Sequence, residues 1–88
     1  MSKTPYPLRA VRFAEWQARL WAGLTDHSFE TIRACARNNL HPNHVNESRR
    51  VVVKGLLRSG LTQGFVADVL GVSVSTVKRD KARGKDLA

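Results

Sequence analysis

From Leu8 to about Leu24 apolar residues recur at helical spacing. On a wheel of about 100° per residue, Arg9, Arg12, Glu15 and Arg19 share one broad sector and Phe13, Leu20 and Leu24 another. Val11, Ala14, Ala18, Trp21 and Ala22 fill much of the remainder, with Trp16 at the edge. The apolar arc spans about 200°, twice the stripe of about 100° that a surface helix needs to pack on one core. Such a helix requires a second cover, and the pattern predicts another copy of the chain, with Phe13, Trp16, Leu20, Trp21 and Leu24 as the dimerisation residues. A second helix starts at a cap on Asp26 or Ser28, turns Phe29, Ile32, Cys35 and Ala36 inward, and ends near Asn38 and Asn39. Residues 40–44 read as a loop.

Asn46 is the expected cap of a third helix, with Val52, Val53, Leu56 and Leu57 inward and Arg49, Arg50, Lys54 and Arg58 outward. The run Val51-Val52-Val53 also favours a strand. Helix is the preferred reading, because the charges follow helical spacing and Ser59-Gly60-Leu61 resembles a helix stop. Gly55 opposes it by about 1 kcal/mol, unless a neighbour packs closely there.

Residues 61–83 read LTQGFVADVLGVSVSTVKRDKAR. Thr62 can cap a short helix whose inward residues are Val66, Ala67 and Leu70, and the small Ala67 allows a second helix to cross closely. Gly71 occupies the turn, where a left-handed backbone is free of side-chain clash. Val72 closes the turn, Ser73 or Ser75 caps the next helix, and Val77 points back at Val66 and Ala67. These are two short helices joined by a tight turn at a steep angle.

On Gln63, Val66, Ala67, Leu70, Gly71, Val72, Ser75, Thr76 and Val77 this segment resembles the helix-turn-helix superfamily of DNA-binding proteins. The resemblance covers about a quarter of the chain, and more if residues 45–83 form a trihelical DNA-binding unit. It implies that the second helix, about 73–82, enters the major groove of double-stranded DNA. Base contacts then fall to Ser73, Val74, Ser75, Lys78 and Arg79, and phosphate contacts to Thr62, Gln63, Thr76, Lys81 and Arg83. One departure is Asp80, where the superfamily usually places an apolar residue. It predicts that the second helix bends or ends early.

Composition sharpens this picture. The 88 residues carry 15 Lys and Arg against 7 Asp and Glu, a formal charge of +8. Such a field suits a polyanion. The single cysteine, Cys35, cannot form an intrachain disulfide, and no apolar run approaches the about 20 residues that cross a bilayer. The expected protein is all-α, with about five helices: a flexible arm over 1–7, N-terminal helices over 8–44, the trihelical unit over 45–83 and a frayed tail over 84–88. It is expected in the bacterial cytoplasm, associated with nucleoid or plasmid. His27, Cys35, His41 and His44 lack the spacing of a zinc site, and the scattered carboxylates form no catalytic constellation. No enzyme, cofactor, metal, membrane or small-molecule ligand is expected.

The parts suffice for a transcriptional repressor that occupies an inverted-repeat operator as a homodimer. Size, charge and motif are similar to the Kor-type repressors of bacterial plasmids, which implies control of plasmid maintenance genes. Two alternatives remain at this level. One is an antitoxin-like adaptor whose N-terminal helices bind a protein partner. The other is a DNA-targeting subunit of a recombinase or transposase.

Overall fold

The computed structural model describes residues 6–83. These form α1 (Leu8–Ala22), α2 (Phe29–Arg37), α3 (Asn43–Arg58), α4 (Gln63–Leu70) and α5 (Val74–Arg83), with no strand among the described residues. The protein is all-α. The arm and tail expected over 1–7 and 84–88 lie outside the described residues, apart from Tyr6 and Pro7. Tyr6 is not loose: its ring stacks on Phe65 with centroids 3.9 Å apart.

Helix α1 stops at Ala22, two residues short of the expected end. The Gly23 N–H still reaches Arg19 O, but the Leu24 and Thr25 N–H groups turn to Trp21 O and Ala22 O at 3.0 and 2.9 Å. The Thr25 hydroxyl also donates to Ala22 O at 2.7 Å, closing the end. Ser28 caps α2, accepting from the Thr31 N–H at 3.1 Å. The chain leaves α2 through Asn39 at φ 55°, a left-handed position that asparagine tolerates. Helix α3 begins at Asn43, after an extended Pro42, earlier than the Asn46 cap expected from the sequence. The Pro42 carbonyl accepts from the Val45 and Asn46 N–H groups, so Asn46 lies inside the first turn. Its side chain donates instead to His41 O at 3.0 Å.

Helix α3 is the hub, touched by all four other helices. Val52, Val53 and Leu56 are fully buried there with Phe29, Ile32, Val66, Leu70 and Val77. The valine run is therefore helical, its β propensity overridden by burial on a helix face. Helix α1 turns Ala14, Ala18 and Ala22 inward, small residues four apart that permit close approach. Gly55 explains itself at this crossing, since a Cβ there would overlap the indole of Trp21. Trp21 is thus a half-buried part of the α1–α3 contact, packed against the core. This corrects its expected place at the dimer surface: the absent side chain at Gly55 makes the slot that takes it.

Replacing Gly55 with alanine gains about 1 kcal/mol of helix propensity but incurs about 1–3 kcal/mol of overpacking. The expected result is a lower urea midpoint with red-shifted tryptophan emission.

Two ion pairs lace α1 to α2, Arg19–Glu30 and Arg33–Glu15, each at 2.7 Å. Both guanidinium groups lie over the Phe29 ring, at 5.4 and 4.6 Å from its centroid. The hydrogen bond from Arg19 holds the Glu30 carboxyl below its ordinary range. A depressed carboxylate stabilises the fold above its unfolded pKa and loses that contribution as pH falls through the folded value. For so exposed a pair the effect is small. No helix among the described residues is long and apolar enough to cross a membrane.

Candidate nucleic-acid interface

The segment from Thr62 to Arg83 is built by caps at both helix starts and a left-handed turn between. Thr62 accepts from the Phe65 N–H at 3.2 Å, opening α4. Phe65, Val66, Ala67, Val69 and Leu70 bury one side of this short helix. Gly71 then adopts φ 74°, and its N–H and that of Val72 both reach Ala67 O, at 2.9 and 3.1 Å. A Cβ-bearing residue is strained there. Ser73 caps α5, its Oγ accepting from the Thr76 N–H at 3.2 Å. Val77 follows one turn later, fully buried.

Asp80 neither bends nor ends α5, which continues to Arg83. The expectation fails because α3 supplies a counter-charge that the pattern of α5 alone does not reveal. Asp80 is 0% exposed, and its Oδ2 and Oδ1 accept from Arg49 Nε and Nη2 at 2.6 and 3.1 Å. Arg49, expected to face solvent, is only 7% exposed. Its Nη1 donates to Asn46 Oδ1 at 2.9 Å. Arg50 Nε approaches Asp80 Oδ1 at 3.7 Å, too far for a hydrogen bond.

With Asp80 turned inward, the outward charges of α5 are all positive: Lys78, Arg79, Lys81 and Arg83, each exposed. Val74 and Ser75 are exposed in its first turn, Val74 to 40%. Ser73 is exposed too, but its Oγ is engaged as the cap. Thr76 is only half-exposed, and its hydroxyl lies 3.1 Å from Ser73 Oγ. The five expected base-contacting residues therefore share an exposed surface at the start and along the outside of α5. Thr62 and Thr76 differ from the other expected phosphate contacts in having hydroxyl oxygens already engaged, by the Phe65 N–H and by Ser73 Oγ respectively.

A second basic feature adjoins the first. Lys54 and Arg58 of α3 line a cleft of about 570 Å³ together with Thr62, Gln63 and Lys81. Three of these are expected phosphate contacts. Lys54 and Arg58 read from the sequence as solvent-facing charges, with phosphate contact by some of the α3 cations left open, and they meet the start of α4. The i, i+4 spacing at the end of α3, just before a capped helix, is the signal that can find them.

The expected dimerisation residues divide. Trp21 is in the α1–α3 contact, whereas Phe13, Trp16, Leu20 and Leu24 are 49%, 54%, 52% and 67% exposed. Phe13 and Trp16 lie together, ring centroids 6.0 Å apart. Leu8, 64% exposed, begins the same helix. Elsewhere, His27 Nδ1 lies 2.9 Å from Ser48 Oγ and its ring 5.0 Å from that of His44, while His41 Nε2 is 3.2 Å from Asn39 Oδ1. Cys35 is a half-buried free thiol beside the core. Among the described residues, no three His, Cys, Asp or Glu side chains gather as a metal site would require. Comparison with known protein families, characterised proteins and solved structures found no match to this chain.

Proposed function

We propose that the protein is a sequence-specific double-stranded DNA-binding repressor of the helix-turn-helix class, with α5 as its major-groove reading helix. The observation that carries this reading is the outward face of α5, where four cations and a small first turn stand free of any outward acid. The first turn can approach base edges, with Val74 against a thymine methyl and Ser73 and Ser75 as adaptable hydrogen-bonding groups. Lys78 and Arg79 follow as donors to guanine. Thr62, Gln63, Lys81 and Arg83, with Lys54 and Arg58, hold phosphates on either side.

A second copy is the proposed cover of the outer face of α1. The exposed parts of Phe13, Trp16, Leu20 and Leu24 amount to on the order of 500 Å² per copy, so two copies burying them reach about 1,000 Å², the lower end for a specific interface. The molecule measures 31 × 29 × 22 Å. Two copies side by side are thus of a size that can span the ~34 Å repeat of successive major grooves. Such a dimer represses by occupying an inverted-repeat operator and excluding RNA polymerase, in the manner of the small Kor-type plasmid repressors that the sequence resembles.

The test is selection of bound sequences from a random duplex pool, with affinity for the winner followed against salt. An enriched inverted repeat supports the reading. Binding with a steep salt slope but no enrichment overturns sequence recognition and leaves a basic accessory protein. On the enriched duplex, Arg79→Ala or Lys78→Ala is expected to relax preference at one base pair by about 1–3 kcal/mol. Equal losses on selected and random duplexes would assign these side chains to phosphate.

A further inference from the structure

The exposed face of α5 can read a sequence only if the helix is held at one rotation about its own axis. Inside the contact with the body, α5 buries just two side chains, Val77 and Asp80. They are three residues apart and so share a face, opposite that of Ser75, Lys78 and Arg79 at about 100° per residue. Val77 supplies apolar contact, which is non-directional and tolerates rotation. Asp80 supplies direction. A carboxylate gripped through both oxygens by one guanidinium is fixed in plane and distance. That guanidinium is itself held by Asn46 one turn earlier on α3.

We infer that the Asn46–Arg49–Asp80 chain is a rotational lock that sets the register of the reading face, making Asp80 and Arg49 specificity-determining positioning residues. A rotation of about 20° moves atoms on the helix surface by about 2 Å. Hydrogen bonds to base edges do not survive such a displacement, whereas Coulomb attraction to phosphates scarcely changes. The lock therefore acts on preference among sequences and leaves general affinity for duplex DNA nearly alone. This inference rests on the DNA-reading proposal above.

The decisive variant is Arg49→Lys, which keeps the buried positive charge but cannot grip both carboxylate oxygens as a planar fork. Asn46→Ala is the milder companion: it leaves Arg49 and Asp80 intact and removes only the support of the guanidinium. Both full-length variants are compared with wild type on the duplex enriched from the random pool and on a scrambled duplex of equal length. Circular dichroism establishes that each is folded at the assay temperature.

Arg49→Lys is expected to bind the scrambled duplex within about twofold of wild type, with an unchanged salt slope, while its preference for the selected duplex falls about tenfold or more. Asn46→Ala is expected to lose preference in the same direction, by about threefold. Undiminished preference in folded Arg49→Lys overturns the lock alone. Should that variant not fold, undiminished preference in Asn46→Ala does so. A wild-type chain that enriches no sequence overturns the DNA-reading proposal, and the lock with it.

Discussion

Asp80→Ala is expected to lower the thermal unfolding midpoint by about 12–40 °C, an estimate of about 3–5 kcal/mol for breaking a buried ion pair at about 4–8 °C per kcal/mol in a chain of this size. The reason lies with the partner left behind. Arg49 stays enclosed with a full positive charge, and Nε and Nη2 lose their carboxylate acceptors. Arg50 loses the nearest negative charge to its buried Nε as well. Stability of a small domain is about 5–15 kcal/mol in total, so the loss removes a large part of it. The double variant Arg49→Met with Asp80→Leu is expected to recover most of the midpoint, because apolar side chains of similar volume often replace a buried pair at little cost. Calorimetry of the three proteins checks this. A single-variant loss below about 1 kcal/mol would mean that water reaches the pair and screens it as it does surface bridges.

Leu20→Glu should have the opposite profile. Leu20 is 52% exposed in the single chain. Replacing a side chain on such a surface typically changes monomer stability by no more than about 0.5 kcal/mol. In the proposed dimer it lies in the middle of the α1 strip, between Phe13 and Leu24. A carboxylate buried there on both copies is expected to weaken association by about 2–4 kcal/mol, roughly 30- to 1,000-fold. Sedimentation at micromolar concentration then gives a folded monomer. Affinity for an inverted repeat falls with it, since the second half-site no longer binds as part of the same molecule. An unchanged dimer mass places the interface elsewhere. A wild-type monomer that associates only in the presence of another protein assigns the strip to a heterologous partner.

Much of the fold is legible along the chain because its signals are local. The Thr62 cap, the Gly71 turn and the inward Val66, Ala67, Leu70 and Val77 need only nearest-neighbour physics. Ser28 and Asn39 mark the ends of α2 for the same reason. Most of the readings that needed correction involve partners far away in sequence. Arg49 looks like a surface charge until Asp80, 31 positions later, is brought against it. Trp21 looks like spare apolar surface until Gly55 opens a place for it. Asn46 offers a good cap, but Pro42 starts the helix first. Lys54 and Arg58 gain meaning only when the cleft forms beside Thr62 and Lys81. Periodicity states which side of a helix is apolar. It does not state how wide a stripe the neighbouring helix covers.

Helix α1 has alanines on one side and aromatic and aliphatic bulk on the other. Its fully buried residues, Ala14, Ala18 and Ala22, are already near the smallest that a side chain can be, so the interior leaves little freedom for substitution. Its outer residues Phe13, Trp16 and Leu20 fill no internal space, and in the proposed dimer exchanging them alters association without disturbing the shape of the single chain. In the proposed dimer, folding and assembly are thus inherited on opposite sides of one helix. Duplicated copies of such a chain can diverge into mutually indifferent proteins through a handful of changes at positions 13, 16, 20 and 24, while the same interior serves them all.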